Sequence, residues 1–195
     1  MLNFIDQYNN LARGYMNLLR ICIFFITLVF HCAALANDHS GHVSRDKVEK
    51  TETKRQKLES NSETTLISIL KLDEALHESF FKYDASLVEK NAKALAAKVD
   101  SVKDKKIKKL FKRTSKQLLK IKASKEKEKN YHLYGLVNKT LVEILKKYDL
   151  GSEYNIYYCP MLKKSWVQNS KKKNKVHNPY AGDYMPHCGM KTTNF

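Results

Sequence analysis

Two short segments near the carboxy terminus carry the residue types best able to do chemistry. Cys159-Pro160-Met161 sets a thiol and a thioether two positions apart, and Met185-Pro186-His187-Cys188-Gly189-Met190 offers two thioethers, an imidazole and a thiol within six residues. Soft sulfur donors select Cu(I) or Ag(I), whereas Zn(II) prefers four Cys or His ligands at closer pairing. A thioether has no proton to lose and cannot enter a disulfide, so it remains a ligand in an oxidising compartment. The expected metal set is Cys159, Met161, Met185, His187, Cys188 and Met190, with His39, His42 and His177 as auxiliary donors. The plainer use of the same sulfurs is a Cys159–Cys188 disulfide with the methionines packed around it. Such a bridge encloses 28 intervening residues and is worth about 3 kcal/mol. Residue chemistry alone weighs the two equally. A Zn(II) site from Cys159, Cys188 and two of His132, His177 and His187 ranks third, because no known zinc spacing stands behind it.

Which thiols survive depends on the start of the chain. Arg20 precedes an apolar run from Ile21 to Ala36, and Ala34-Leu35-Ala36 has the small-x-small pattern that a signal peptidase accepts. The run is short for a membrane span, which needs about 20 apolar residues. Residues 1–36 are therefore expected to be a signal peptide cleaved near Ala36, and membrane contact to end with it. Cleavage removes Cys22 and Cys32, leaves Cys159 and Cys188 as the only thiols, and delivers them to the periplasm or beyond.

Positioning those thiols is the task of the elements between. Residues 37–62 are strongly charged with few apolar side chains and read as a disordered tether. From Glu63 the apolar residues recur at three and four: Leu66, Ile69, Leu70, Leu76, Phe80 and Tyr83, then Leu87, Val88, Ala92, Leu95, Ala96 and Val99, then Ile107, Leu110, Phe111, Leu118 and Ile121, then Tyr131, Tyr134, Val137, Leu141, Ile144, Leu145 and Tyr148. Asp84 or Ser86 can cap the second stripe, and Gly151 stops the last. The expectation is an all-α fold, a four-helix antiparallel bundle over residues 63–150, followed by a small irregular Cys/Met/His module over 151–195 in which Ile156 to Tyr158 can form a short strand.

The chain has 36 Lys+Arg against 20 Asp+Glu, a formal net charge of +16. Lys outnumbers Arg 31 to 5, the basic residues spread over several helices, and no recognition motif gathers them, which argues against nucleic acid. A solvated face is the ordinary reading, and attachment to an anionic membrane or envelope polymer is the alternative. No residue set supplies a nucleophile with an oriented base, so the expectation is a binding protein and not an enzyme.

Tyr158-Cys159-Pro160-Met161, Trp166-x-Gln168, Asn178-Pro179-Tyr180-x-Gly182, Met185 and Cys188-Gly189 follow the helical stripes in a defined order. In that order they resemble an uncharacterised domain of exported bacterial proteins, one also found fused to periplasmic adaptor subunits of copper and silver efflux systems. The resemblance covers roughly Glu63 to Met190. It implies periplasmic heavy-metal handling, with Cys159, Met161, Met185 and Cys188 at matching positions and a copper ion as cargo. An efflux adaptor or a metallochaperone is the implied partner. No adaptor barrel or hairpin is present here, so the implied role is a stand-alone carrier or sequestering protein. The rival is a disulfide-stapled basic module bound to the envelope without metal.

Overall fold

Apolar side chains at helical spacing place Leu66, Ile69, Leu70, Leu76 and Phe80 on one buried stripe of α1 (Ser60–Phe81). The computed structural model describes residues 54–182 and 184–195. The signal segment 1–36, the tether as far as residue 53, and with them His39 and His42, lie outside the described residues. α1 starts inside the stretch assigned to the tether.

A three-residue turn returns the chain into α2 (Ala85–Asp100), where Asp84 accepts a hydrogen bond from the Leu87 amide at 2.9 Å. Asn91 reaches back to the Ala75 carbonyl and the Ser79 hydroxyl, so α2 runs alongside α1 in the opposite direction. The third helical segment is broken into α3 (Lys105–Leu110), a 3-10 turn (Phe111–Arg113) and α4 (Thr114–Leu119). Asp104 caps it by accepting from the Lys106 and Ile107 amides. α5 (Lys127–Lys147) closes the helical set, with Tyr134 stacked on Phe80 of α1 at 4.5 Å.

The described chain therefore has four helical segments, as expected, but it is not all-α. Residues 154–191 form a three-stranded antiparallel sheet in the order β2-β1-β3, from β1 (Tyr154–Cys159), β2 (Lys164–Asn169) and β3 (Met190–Lys191). The fold is mixed α/β, and the module that reads as irregular is a sheet laid against α5. The physical reason lies in burial on both faces. Tyr154, Asn155, Ile156 and Tyr157 are all buried, as are Trp166, Val167, Gln168 and Asn169, so the alternation that marks a half-buried strand never appears.

The first and last described residues are fastened together. Gln56 exchanges backbone hydrogen bonds with Lys147 and Asp149, and Arg55 pairs with Asp149 at 3.0 Å while its guanidinium lies 3.9 Å above the Phe195 ring. Among the described residues no helix is long and apolar enough to cross a membrane.

Candidate functional site

Cys159 ends β1, fully buried, and Cys188 lies half-exposed two residues before β3. Their sulfurs stand 2.8 Å apart, and both are free thiols. That is longer than the roughly 2.05 Å of a disulfide bond. Contact with Cys159, burial, and the neighbouring thiol's charge together hold the Cys188 thiol above its ordinary pKa of 9.0.

The residues that deliver Cys188 are those of the sequence motifs. Trp166 is fully buried beneath the loop, stacked on its cross-strand partner Tyr157 at 5.9 Å and edge-on to Tyr180 at 6.3 Å. Gln168 accepts from the His177 amide at 2.9 Å and donates to the Lys175 carbonyl at 2.8 Å, tying the returning chain to β2. Asn178, wholly buried, donates to the Cys188 carbonyl at 2.8 Å and accepts from the Tyr180 amide, while its own amide donates to the Pro186 carbonyl. One side chain and its backbone thus close the loop from Pro179 to Cys188. Gly182 and Gly189 serve close approach. A Cβ on Gly182 would stand 2.8 Å from the Phe81 carbonyl, and one on Gly189 would stand 2.8 Å from Trp166 and 3.0 Å from the Tyr158 carbonyl.

The other expected donors distribute unevenly around the thiols. Met185 lies in the turn that ends at Cys188, whose amide donates to the Met185 carbonyl at 3.0 Å. Met161 occupies the β1–β2 turn two residues past Cys159 and is 67% exposed. Met190 pairs with Tyr158, so it projects from the sheet face opposite Cys159 and is 54% exposed. His187 is exposed and uses Nδ1 on the Val176 carbonyl at 2.7 Å, leaving Nε2 as its one nitrogen for a ligand. His177 is elsewhere, packed between Phe81 and His77 on α1. His132 sits on α5 in a groove beside Lys163 and Lys164. Among the described residues no three His, Cys, Asp or Glu side chains gather around a point where a metal ion could sit.

Sequence reasoning missed a second constellation. α1 turns Asp73, Glu74, His77 and Glu78 towards the end of β2 and the chain beyond it, enclosing a cavity of about 110 Å³ that Tyr154, Asn169, Lys172 and His177 also line. Asp73 is buried and accepts from the Tyr134 hydroxyl at 3.0 Å; desolvation pushes its carboxyl up to about 7. Glu74 accepts from Tyr154, Asn169 and Lys172, and despite its partial burial these donors hold it below the ordinary carboxylate value. His77 bonds the His177 carbonyl at 2.8 Å, and burial drives its pKa down to about 3. His177, also desolvated, falls to about 4. Its Nδ1 is buried without a hydrogen-bond partner, 3.8 Å from Glu78. The signal for this site was present: Asp73 and His77 occupy apolar-stripe positions, between Leu70 and Leu76 and between Leu76 and Phe80. Polar side chains at core positions mark a network or a site.

Comparison with protein families, with curated proteins and with solved structures finds no match to this chain.

Proposed function

We propose that this chain is an exported soft-metal-binding protein that holds Cu(I), or its congener Ag(I), on the Cys159–Cys188 pair with Met185 and Met161 as thioether donors. The observation that supports it is the approach of two free thiols to 2.8 Å, with Met161 and Met185 two and three residues away from them along the chain. Both thiols must lose their protons to bind, so Cu(I) affinity rises with pH, the more so because Cys188 starts above its ordinary value. The sulfurs must also part, since two metal–sulfur bonds of about 2.3 Å at a tetrahedral angle set them about 3.8 Å apart. Cys188, half-exposed where Cys159 is buried, is the sulfur with room to shift by a side-chain rotation, its backbone being held by Asn178 and Met185. The resemblance of the motifs to efflux-linked exported domains points the same way, towards carrying or sequestering copper without turnover.

The short separation equally suits a covalent bridge, and that favours the second reading, a disulfide-stapled envelope module without metal. One experiment separates them. Free thiols are counted on protein purified from the periplasm, which is then titrated anaerobically with Cu(I) against a chromophoric chelator. A carrier withdraws one or two Cu(I), and Cys159→Ser or Cys188→Ser weakens this by more than the 10- to 100-fold typical of outer-shell changes. Fully oxidised thiols, together with no competition from the reduced protein, would refute the copper reading in favour of the staple.

A further inference from the structure

The solvent side of the broken third helical segment has a composition that neither the thiols nor the α1 cavity explains. Between Lys103 and Lys120 the chain carries eight lysines and Arg113 against a single carboxylate, Asp104. All nine cations are exposed, because Ile107, Phe111, Thr114, Ser115 and Leu118 take the inward positions and leave the rest of the surface to them. Among the described residues none of the nine forms an ion pair.

The nearby carboxylates are engaged elsewhere. Asp104 caps α3, Asp100 accepts from the Ser115 hydroxyl at 2.8 Å, and Glu89 holds Lys93, Lys122 and the Ala123 amide. Ordinary solvated helix faces mix their signs, since like charges at helical spacing repel. Leu119, 46% exposed, stands among these cations between Lys116 and Lys120 on α4. The Glu89–Ala123 bond draws the start of α2 to the same end, where Leu87 is also exposed.

We infer that this face docks on an anionic lipid bilayer, its lysines over headgroup phosphates and Leu119 at the acyl boundary. Lysine suits the field of a charged surface, as a point charge on a long flexible stem that lies along apolar material while its ammonium stays hydrated. Arginine, which reads bases through its planar fork, is a minority of one. The exposed leucine gives the contact an apolar component that a soluble polyanion would not use. No described helix spans a membrane, so the attachment is peripheral. It stands independently of the metal reading, the thiols being at the end of β1 and on the loop before β3.

The test is co-sedimentation of the protein, as processed by the cell, with vesicles of mixed phosphatidylglycerol and phosphatidylcholine or of phosphatidylcholine alone. The expected result is binding to the anionic vesicles only, lost steeply as salt is raised. A variant carrying Lys105→Glu, Lys108→Glu, Lys109→Glu and Lys112→Glu should bind at least about 100-fold more weakly. Leu119→Ser should cost about fivefold on vesicles and nothing on heparin. All five side chains are exposed, and circular dichroism with a thiol count checks that the variants fold. Three outcomes overturn the inference: equal binding of the quadruple variant and the wild type, equal binding to neutral vesicles, or binding to heparin or DNA with none to anionic vesicles.

Discussion

Asp73 and His77 sit one helical turn apart on α1 and titrate in opposite senses. Asp73 binds its proton more tightly folded, at about 7, than its ordinary 3.8, so its contribution to stability is full below about pH 4 and is lost as pH rises through about 7. His77, lowered from 6.5 to about 3, contributes fully above 6.5 and loses that contribution as pH falls through about 3. Between about pH 4 and 6.5 the two slopes oppose each other. Asp73→Asn keeps an acceptor for the Tyr134 hydroxyl and removes one slope. Chemical denaturation should then show the variant gaining on the wild type at about pH 8, by up to a few kcal/mol, with no gain at about pH 4. Identical pH dependence of the two proteins would mean that the Asp73 carboxyl is not desolvated. Gly189 gives a sharper local test. Its φ of +137° and the 2.8 Å approach to Trp166 leave no room for a methyl group, so Gly189→Ala should destabilise by at least about 2 kcal/mol. It should also disturb the reactivity of Cys188 towards a thiol reagent more than that of distant groups.

At the scale of elements, the helical segments were legible because each has one apolar stripe and a polar remainder. Of the two caps read for the second stripe, Asp84 is the one used, while the cap at Asp104 was not read. Of the sheet only a short strand at Ile156 to Tyr158, within β1, was legible; β2 and β3 were not, since Asn155, Gln168 and Asn169 are polar at positions that prove buried, and period-two alternation cannot survive such a placement. The cysteine pair was legible as a pair, but not the face to which each methionine is turned. Met190 leaves Cys159's face because of one residue of strand register, which no spacing rule supplies. The joint between helices and sheet rests on Asn138 of α5. Its amide nitrogen donates to the Tyr180 hydroxyl at 3.0 Å and its oxygen accepts from the Val167 amide at 3.2 Å. Asn138→Ala strands both partners in the interior and should cost about 2–4 kcal/mol in thermal or urea unfolding. Asn138→Asp, which keeps the acceptor but not the donor, should be destabilised as well. A loss under about 0.5 kcal/mol in Asn138→Ala would show that water repairs the joint.

Over the whole molecule, the run of cations without ion pairs among the described residues lies on the broken third helical segment, while the thiols lie at the end of β1, where Lys164 is the cross-strand neighbour of Cys159, and on the loop before β3. Ionic strength should therefore act on one property and not on the other. Raising salt from about 0.05 to 0.5 M should release the protein from anionic surfaces and leave its competition for Cu(I) within about twofold, since thiolate coordination owes little to screened charge. A parallel loss of both in one salt series would tie the metal site to the basic face. The clasp of Arg55 on Asp149 and Phe195 has a consequence of a different kind. The start of the described chain and its last residue leave the molecule side by side, so a short flexible linker could join them and new ends be opened in the exposed Ala123–Ser124 turn. A chain rewired in this way would keep every strand pairing and the thiol contact while moving the point at which the residues before 54 are attached to the opposite end of α5.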